Sequence, residues 1–318
     1  MTKSKPQYRS KWRAIDGVLL FDKPLELSSN DALQKVRRLF QAEKAGHTGT
    51  LDPLATGLLP ICFGEATKFS NALLDADKTY TAMMRLGQTT TTGDAEGEIT
   101  AEKPVSFTEA ELLAVLAKFR GEIQQLPPMH SALKHQGKPL YDYIRQGITI
   151  EREHRSVVIH ELVVNSWVGC EMEISVRCSK GTYVRTLAED IGTALGCGAH
   201  LIALRRTAIA HLNLADGFSL PQLQEMSDEA RDECVMPLVS LIPDMPRLIL
   251  DAVQVKRMAQ GQRLSIATGL ADGKIALYGP EGFVGVGLQD GRRISAERLM
   301  SGVAKQAAVV NLMEVVEQ

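Results

Sequence analysis

The sequence predicts an α+β fold followed by a small, mostly β module, and three patterns carry this prediction. Residues 28–40 place apolar side chains on one face and two arginines on the other, as an amphipathic helix does. Residues 172–178 alternate apolar and polar side chains, as a half-buried strand does. After residue 250, short β-prone pieces are separated by Gly-Pro and Asp-Gly turns, which indicates the small β module.

The first 120 residues alternate predicted strands and helices after a short N-terminal arm. Residues 1–13 are polar and basic and lack the apolar core of a secretory signal, so we expect a flexible arm. The predicted elements are a strand over 17–22, a helix over 28–40 capped by Ser28 or Ser29, strands over 58–62 and 80–86, a polar loop without strand or helix over 87–97, and a helix over 108–120 with a Thr108/Glu111 capping box and Gly121 as its stop.

Residues 125–156, called the insertion below, differ from the rest of the chain because aromatic side chains interleave with cations. Tyr141 and Tyr143, for example, lie between Lys138 and Arg145. Such a segment suits stacking on bases and contacts with phosphates. A surface excursion with a short helix around Tyr141 would give the same pattern, and the residues alone leave both interpretations open.

The chain then returns to a regular pattern that ends in a turn and a helix. Strands are predicted over 156–166 and 172–178, and a helix runs through residues 187–195. This order places Tyr183 and Arg185 at the end of an element, where functional side chains commonly lie. Residues 200–206 are apolar and then basic, and residues 215–247 are acidic and then interrupted by prolines, which indicates a domain boundary.

The composition is that of an ordinary globular protein, with 44% hydrophobic and 23% charged residues. No apolar run approaches the length of a membrane span, so we expect no transmembrane segment. The five cysteines form no C-x-x-C pair and the histidines form no metal-binding set. We therefore expect neither disulfides nor structural zinc, and we interpret the cysteines as small buried hydrophobes of a cytoplasmic protein.

The formal net charge of −2 argues against a simple nucleic-acid coat protein, but the charges are unevenly distributed. Residues 1–49 carry ten Lys/Arg against five Asp/Glu, whereas residues 214–235 carry six acids and one arginine. This distribution allows a basic face on a nearly neutral protein. Two separate solvated surfaces would explain the same counts.

The stretch Gly-His-Thr-Gly-Thr-Leu-Asp-Pro-Leu-Ala-Thr-Gly at residues 46–57, called the Asp52 loop below, carries the candidate chemistry. Pro53 pushes the backbone of Asp52 away from the α region, which suits a carboxylate presented on a turn. An ordinary Gly/Pro connection with a capping Asp is the structural alternative.

The motifs of common catalytic sites are missing from the sequence. It has no phosphate-binding or dinucleotide-binding glycine motif and no local motif of a serine or cysteine nucleophile. What remains is one carboxylate, which is ionised at pH 7 when unperturbed and can serve as a nucleophile or a general base. A neighbouring guanidinium would fix its direction.

These residues resemble the bacterial tRNA pseudouridine-55 synthases of type B over essentially the whole chain. The Asp52 loop matches the catalytic loop of that family. The supporting segments are Phe21-Asp22-Lys23-Pro24, Lys78-Thr79-Tyr80, residues 86–97 and residues 178–187. The tail resembles the small β-barrel RNA-binding module of the family, the PUA domain.

The resemblance implies isomerisation of uridine 55 in the tRNA T loop to pseudouridine, without cofactor or metal. The glycosidic bond breaks, the uracil rotates while it is held, and it is rejoined through carbon 5. Asp52 matches the essential aspartate, and the sequence leaves open whether it attacks the sugar, adds to the base or assists elimination. A catalytic group cannot reach the glycosidic bond of a base that is stacked inside an RNA loop, so the base must leave the stack before this chemistry.

Five further residues match substrate-binding positions of the family. Tyr80 matches the tyrosine that stacks on the target base and is also a candidate base catalyst, and Arg185 matches the arginine that pairs with Asp52. Tyr183 and Leu204 match positions lining the uracil pocket, and His47 matches the histidine supporting the loop from which the uridine is flipped. Arg185 taken alone would be a surface cation near a helix start, which the helix dipole disfavours unless a carboxylate offsets it.

We predict an α+β catalytic domain with a mixed, largely antiparallel sheet over residues 14–247, and a PUA-like β-barrel domain over 250–318. The insertion resembles the thumb with which the family closes over RNA. We expect a cytoplasmic monomer whose partner is the T stem-loop of tRNA, with no membrane and no small-molecule cofactor. The competing classes are a non-catalytic RNA-binding protein and, disfavoured by the missing phosphate-loop lysine, a small-molecule phosphotransferase.

Overall fold

The computed structural model of the chain describes residues 12–131 and 133–303, and its largest element is a ten-stranded sheet. The spatial order of its main strands is β14-β1-β3-β12-β4-β11-β10-β7, with β2 paired to β3 and β13 paired to β12. Predictions for residues 1–11 and 304–318 lie outside the described residues. The strands of this sheet are β1 Gly17–Lys23, β2 Ala45–His47, β3 Ala55–Phe63, β4 Lys78–Leu86, β7 Gly121–Gln125, β10 Arg155–Val168, β11 Glu171–Cys178, β12 Ala199–Ile209, β13 Leu212–Asn213 and β14 Phe218–Ser219.

Two small two-stranded sheets and eight α-helices complete the secondary structure of the described residues. The small sheets pair β5 Gln88–Thr90 with β6 Ile99–Glu102, and β8 Lys134–His135 with β9 Lys138–Pro139. The helices are α1 Ser29–Leu39, α2 Asn71–Leu74, α3 Glu109–Ala117, α4 Leu140–Ile144, α5 Val184–Ala194, α6 Leu220–Glu225, α7 Asp228–Glu233 and α8 Ala252–Ala259, with 3₁₀ turns at Gly64–Lys68, Leu214–Asp216 and Leu238–Leu241.

The large sheet is mixed and largely antiparallel, as predicted. Its parallel pairs are β1 with β14 and β3 with β12, and the other pairs are antiparallel. The close approach of β3 and β12 depends on Gly57, because a Cβ there would come within 2.3 Å of the Arg206 carbonyl oxygen. This parallel pair lies in the middle of the sheet and brings the Asp52 loop beside β12.

The apolar faces of the elements explain their packing. Helix α1 buries Ala32, Leu33 and Val36 against strands β1 and β3, which forms one core. Helices α3 and α5 pack with strands β4, β10 and β11 into a second core. Alternate residues of β1 and β3 point to opposite faces of the sheet, and both faces are covered by apolar packing there, since Leu19 and Leu59 belong to one core and Leu20 and Leu58 to another.

The C-terminal strands form a separate five-stranded, curled half-barrel. Its order is β15-β17-β18-β19-β16, and its strands are β15 Arg247–Ile249, β16 Leu264–Ser265, β17 Gly273–Gly279, β18 Gly282–Asp290 and β19 Arg293–Leu299. It contacts the first sheet's domain through Phe283, whose ring lies 5.5 Å from that of Phe69. The domain limits at residues 247–250 remain a prediction.

Two sequence-based predictions of secondary structure were wrong in detail. Residues 87–97 are not a structureless loop, because Gln88–Thr90 pairs with Ile99–Glu102. The helix predicted over 108–120 has its Thr108/Glu111 capping box but ends at Ala117. Two more strands, β7 and β12, were not predicted, since one is short and polar and the other mixes apolar and basic residues.

The cysteine prediction holds for only three of the five residues. Cys62, Cys178 and Cys197 are buried, whereas Cys234 is half-buried and Cys170 is exposed at a turn. Burial raises the pKa of Cys62 to about 12 and that of Cys178 to about 11, so both thiols stay protonated. Within residues 12–303, apart from residue 132, no helix is long and apolar enough to cross a membrane.

Candidate active site

A cavity of about 250 Å³ opens where β3, β12 and β4 meet the start of α5. Five of the six predicted site residues line it, and His47 does not. The lining residues are Gly49, Thr50, Leu51, Asp52, Ala55, Leu74, Lys78, Tyr80, Ser131, Ser179, Gly181, Thr182, Tyr183, Val184, Arg185, Leu204 and Arg206.

The predicted pair of Asp52 and Arg185 is present at the mouth of this cavity. Arg185 Nη2 lies 2.9 Å from Asp52 Oδ2, and the side chains are 7% and 44% exposed respectively. The buried guanidinium therefore holds a carboxylate whose other side faces solvent. Arg185 is not a surface cation, because its side chain turns inward from the first turn of α5.

A second carboxylate, Asp94, shares the same guanidinium and was not predicted. Asp94 is buried, and its Oδ2 lies 3.5 Å from Arg185 Nη1. Thr92 Oγ1 donates to Asp94 Oδ1 at 2.5 Å, and the Leu201 N–H donates to the Gly93 carbonyl at 3.0 Å. The turn between β5 and β6 is thus fixed to β12. Two carboxylates offset the unfavourable position of a cation at a helix start.

Backbone carbonyls complete the shell around Arg185. Its Nη1 donates to the Thr92 carbonyl at 3.2 Å and its Nη2 to the His130 carbonyl at 2.6 Å. His130 belongs to the insertion, so one guanidinium connects the Asp52 loop, the β5–β6 turn and the insertion. The planar guanidinium of arginine has several N–H donors in fixed directions, so it can bond to three segments at once better than the ammonium group of a lysine could.

The Asp52 loop is held from behind by the turn that leads from β1 into α1. Ser29 Oγ accepts from the Leu51 N–H at 2.7 Å and donates to the Leu51 carbonyl at 2.9 Å. The Glu26 N–H donates to the Pro53 carbonyl at 3.0 Å. The peptide group before Asp52 and the one after Pro53 are therefore fixed before any substrate binds.

Lys23 supports this arrangement from inside the protein. Its ammonium is fully buried and donates to the carbonyls of Pro24 and Leu27 at 2.9 and 2.6 Å. Burial lowers the pKa of Lys23 to about 8. Its donors point into the turn that holds the Asp52 loop, so Lys23 shapes that turn and does not face the cavity.

Strand register places the remaining predicted residues around the carboxylate. Leu204 on β12 lies opposite Ala55 on β3 and Ala82 on β4. Tyr80 lies opposite Arg206 on the neighbouring strand. The ring of Tyr80 and the side chain of Leu204 therefore reach the same cavity from adjacent strands.

Arg206 is a further unpredicted residue of the site. It is 1% exposed, and it donates to the Leu58 carbonyl at 2.8 Å and to the Gly49 carbonyl at 3.1 Å. Burial raises the pKa of Tyr80, and the Arg206 guanidinium beside it opposes that effect. A phenol with a raised pKa keeps its proton at neutral pH, which favours stacking over base catalysis for Tyr80.

Tyr183 is held by a buried amide at the start of α5. Gln125 is 1% exposed, accepts from the Tyr183 N–H at 3.1 Å and donates to the Tyr183 carbonyl at 3.3 Å. Lys78 closes the other end of the cavity, and its ammonium donates to the carbonyls of Leu73, Leu74 and Ala76. Both residues are positioning groups.

His47 lies near the start of the Asp52 loop and outside the cavity, at the end of β2 opposite Ile61. It is half-buried, and its Nδ1 is enclosed without a hydrogen-bond partner among the described residues. Burial and the nearby Arg206 guanidinium lower the pKa of His47, so the ring is neutral at pH 7. A neutral ring there is consistent with support of the loop.

The insertion forms a small hairpin and helix α4 above the cavity. The Lys138 ammonium lies 5.1 Å from the centre of the Tyr143 ring, and the Arg145 guanidinium lies 5.5 Å from that of Tyr141. The interleaved cations and aromatics of the sequence are thus cation–π pairs on one surface. The short helix predicted around Tyr141 is present as Leu140–Ile144.

Three family models match consecutive parts of the chain. They are "TruB family pseudouridylate synthase (N terminal domain)" over residues 37–184, "tRNA pseudouridylate synthase B C-terminal domain" over 185–243 and "Pseudouridine synthase II TruB, C-terminal" over 246–300. A protein named tRNA pseudouridine synthase B from Methylobacillus flagellatus is 53% identical, covering 92% of this chain and 97% of that protein. The chain belongs to the TruB family of pseudouridine synthases. The resemblance recognised from the motifs is confirmed.

Further relatives agree with TruB membership. The protein of the same name from Burkholderia mallei is 57% identical over 84% of this chain and 86% of its own length. Among solved structures, "Crystal Structure of a Cbf5-Nop10-Gar1 Complex" has a TM-score of 0.68 at 24% identity, covering 93% of this chain and 91% of that one. "Structure of H/ACA RNP bound to a substrate RNA containing 2'-deoxyuridine" has a TM-score of 0.67 at 23% identity, covering 89% and 84%. These two structures confirm the predicted fold class.

Proposed function

We propose that this TruB-family chain isomerises uridine 55 in the T loop of tRNA to pseudouridine, with Asp52 as the catalytic carboxylate. The observation that carries the proposal is the half-exposed Asp52 carboxylate, held at 2.9 Å by the buried Arg185 in a recessed cavity. An ionised carboxylate with a fixed direction suits nucleophilic attack or base catalysis. The tRNA substrate follows the names of the relatives that match nearly the whole chain.

The target base must be flipped out of the RNA to react. Asp52 lies in a cavity of about 250 Å³, and a base that stays stacked in a loop cannot enter such a recess. Tyr80 offers a stacking surface that contributes roughly 1–3 kcal/mol per base. Leu204 and Tyr183 line the same cavity, and His47, which lies outside it, supports the Asp52 loop from the end of β2.

The test is the variant Asp52→Asn, which removes the negative charge and keeps the size. We expect pseudouridine formation in a T stem-loop transcript to fall below detection, with RNA affinity within a few-fold of wild type. Pseudouridine is measured by mass mapping and affinity by filter binding. The matched control Asp244→Asn makes the same change at an exposed residue between the two sheets and should leave both values unchanged.

The second candidate function, RNA binding without catalysis, rests on the cation–aromatic surface of the insertion. This second function predicts that wild type and Asp52→Asn bind RNA equally well and that neither of them forms pseudouridine. Full conversion by Asp52→Asn would refute the role of Asp52. Comparing pseudouridine formation in the T stem-loop with that in an anticodon stem-loop tests which loop is the target. Sedimentation of the free protein tests whether it is a monomer, as expected.

A further inference from the structure

Ser131 combines two properties that no other described residue of the chain combines. Six described residues have a buried side-chain N or O atom without a hydrogen-bond partner: His47, Thr48, Ser131, Arg152, Thr186 and Asp232. Of these six, Ser131 alone lines the cavity that contains Asp52. Its side chain is enclosed, since the residue is 3% exposed.

The position of Ser131 is fixed on both sides, so the unpartnered hydroxyl does not reflect a loose segment. The Tyr141 N–H at the start of α4 donates to the Ser131 carbonyl at 3.2 Å. The preceding carbonyl, that of His130, accepts from Arg185 Nη2 at 2.6 Å. Through this bond, Ser131 is placed relative to the same guanidinium that holds Asp52.

A buried hydroxyl without a partner lowers the stability of the protein that contains it. Nearly all buried polar atoms in folded proteins have a partner, so an exception needs a physical reason. Because the exception here borders the proposed reaction cavity, the missing partner is most simply a group of the substrate. We propose that the Ser131 hydroxyl hydrogen-bonds the uracil of the target uridine; this rests on the proposed function.

The chemistry of the cavity favours the base as the partner. The Tyr80 ring and the Leu204 side chain give the cavity an aromatic and an apolar wall, which suit a planar base. Uracil carries carbonyl acceptors and a ring N–H donor at its edge, and a serine hydroxyl can both donate and accept. A site that hydrogen-bonds its substrate rejects a competitor that leaves the site's polar group unpaired.

The test uses Ser131→Ala in the full-length chain. Removing an unpartnered hydroxyl should leave the urea midpoint of the free protein unchanged or slightly raised. The kcat/KM for a T stem-loop transcript should fall roughly tenfold, the effect of one lost hydrogen bond. Ser131→Cys keeps a side chain of similar shape with a weak hydrogen-bond donor, so its kcat/KM should lie between those of wild type and Ser131→Ala. Ser106→Ala removes the same atom from an exposed loop and should change neither value.

Two outcomes would overturn the inference. A loss of stability in Ser131→Ala without a change in kcat/KM would make Ser131 a packing residue. An unchanged kcat/KM with unchanged stability would also refute the contact.

A further measurement distinguishes a contact with the uracil base from a contact with the ribose. It compares the affinities of wild type and Ser131→Ala for a transcript that carries 2′-deoxyuridine at the target position. If Ser131→Ala no longer weakens binding of that transcript, the partner is the ribose hydroxyl and the assignment to uracil is wrong. Wild-type protein that makes no pseudouridine in the first transcript refutes the proposed function instead, so the two failures are distinguishable.

Discussion

Two buried serines, one behind the Asp52 loop and one in the insertion, are bonded in opposite ways. Ser29, behind the Asp52 loop, is 2% exposed and uses its hydroxyl twice, toward the N–H and the carbonyl of Leu51. Ser131, in the insertion, is 3% exposed and its hydroxyl has no partner among the described residues. Equal burial with opposite bonding indicates different tasks.

This difference shows which side of the cavity is fixed by hydrogen bonds in the free protein. The Asp52 loop receives hydrogen bonds from Ser29, Glu26 and Arg206, so its backbone is fixed in the free protein. Buried polar atoms without a partner occur on both sides, at Ser131 and Arg152 in the insertion and at His47 and Thr48 in the Asp52 loop, but of these four residues only Ser131 lines the cavity. A catalytic carboxylate needs a fixed direction, which limits the reorganisation at the moment of reaction. A segment that covers the substrate needs free hydrogen-bond donors and acceptors that can bind groups of the substrate.

The largest expected effect comes from Arg185→Lys, since Arg185 connects both sides. The ammonium keeps the charge but cannot reach Asp52, Asp94 and the two carbonyls together. Leaving the buried Asp94 without its partner should lower the free energy of unfolding by about 3 kcal/mol. Single-turnover pseudouridine formation should fall at least about a hundredfold because Asp52 loses its direction.

The control for this variant is Arg205→Lys. Arg205 pairs with Asp22 through two nitrogens, but its side chain is 44% exposed, so the loss should stay below about 1 kcal/mol. Urea unfolding and quenched-flow turnover give both quantities. Equal effects of the two variants would show that the shared guanidinium is not what joins the two sides of the cavity.

The variant with the next largest expected effect is Ser29→Ala, which tests the Asp52 loop directly. Both hydrogen bonds to Leu51 are buried, so their removal should cost about 1–3 kcal/mol of stability. The single-turnover rate should fall about tenfold because the peptide group before Asp52 is released, while the affinity for the T stem-loop stays the same. A loss of affinity without a loss of rate would reverse the tasks assigned to the two serines.

How far the sequence predicts this site is clear from particular residues. Asp52, Tyr80, Tyr183, Arg185 and Leu204 were found through the resemblance, and they line one cavity. Helix α1 was predicted from its apolar spacing and its cap, and Ser28 is that cap. Ser29 was considered only as an alternative cap, because its contact with Leu51 joins residues 22 positions apart, which a local pattern does not reveal.

The unpredicted residues share the same physical cause. Arg206 sits in an apolar-then-basic segment, and its burial follows from the register of β12 between β3 and β4. Asp94 lies in a stretch that was predicted to be a loop, because the β5–β6 pair is too short to show a period. In both residues the charge is placed by long-range strand pairing, while sequence patterns report local periodicity.

The smallest expected effect concerns His47, the predicted site residue that does not line the cavity. Its pKa is lowered in the fold by burial and by Arg206, whereas the unfolded ring titrates near 6.5. As pH falls through 6.5 the unfolded state therefore binds the proton first. Stability is lost between that value and the lower folded pKa, by less than about 1.4 kcal/mol per pH unit.

The variant His47→Gln removes this titration while keeping a polar side chain in the same place. The difference in unfolding free energy between wild type and variant should be constant above pH 7. Below pH 6.5 it should move in favour of the variant, while the other six histidines cancel in the comparison. Urea unfolding at pH 7.5, 6.5 and 5.5 measures this difference. A difference independent of pH would mean that the ring is protonated in the folded protein as readily as in the unfolded chain, and that the enclosed Nδ1 does not keep it neutral.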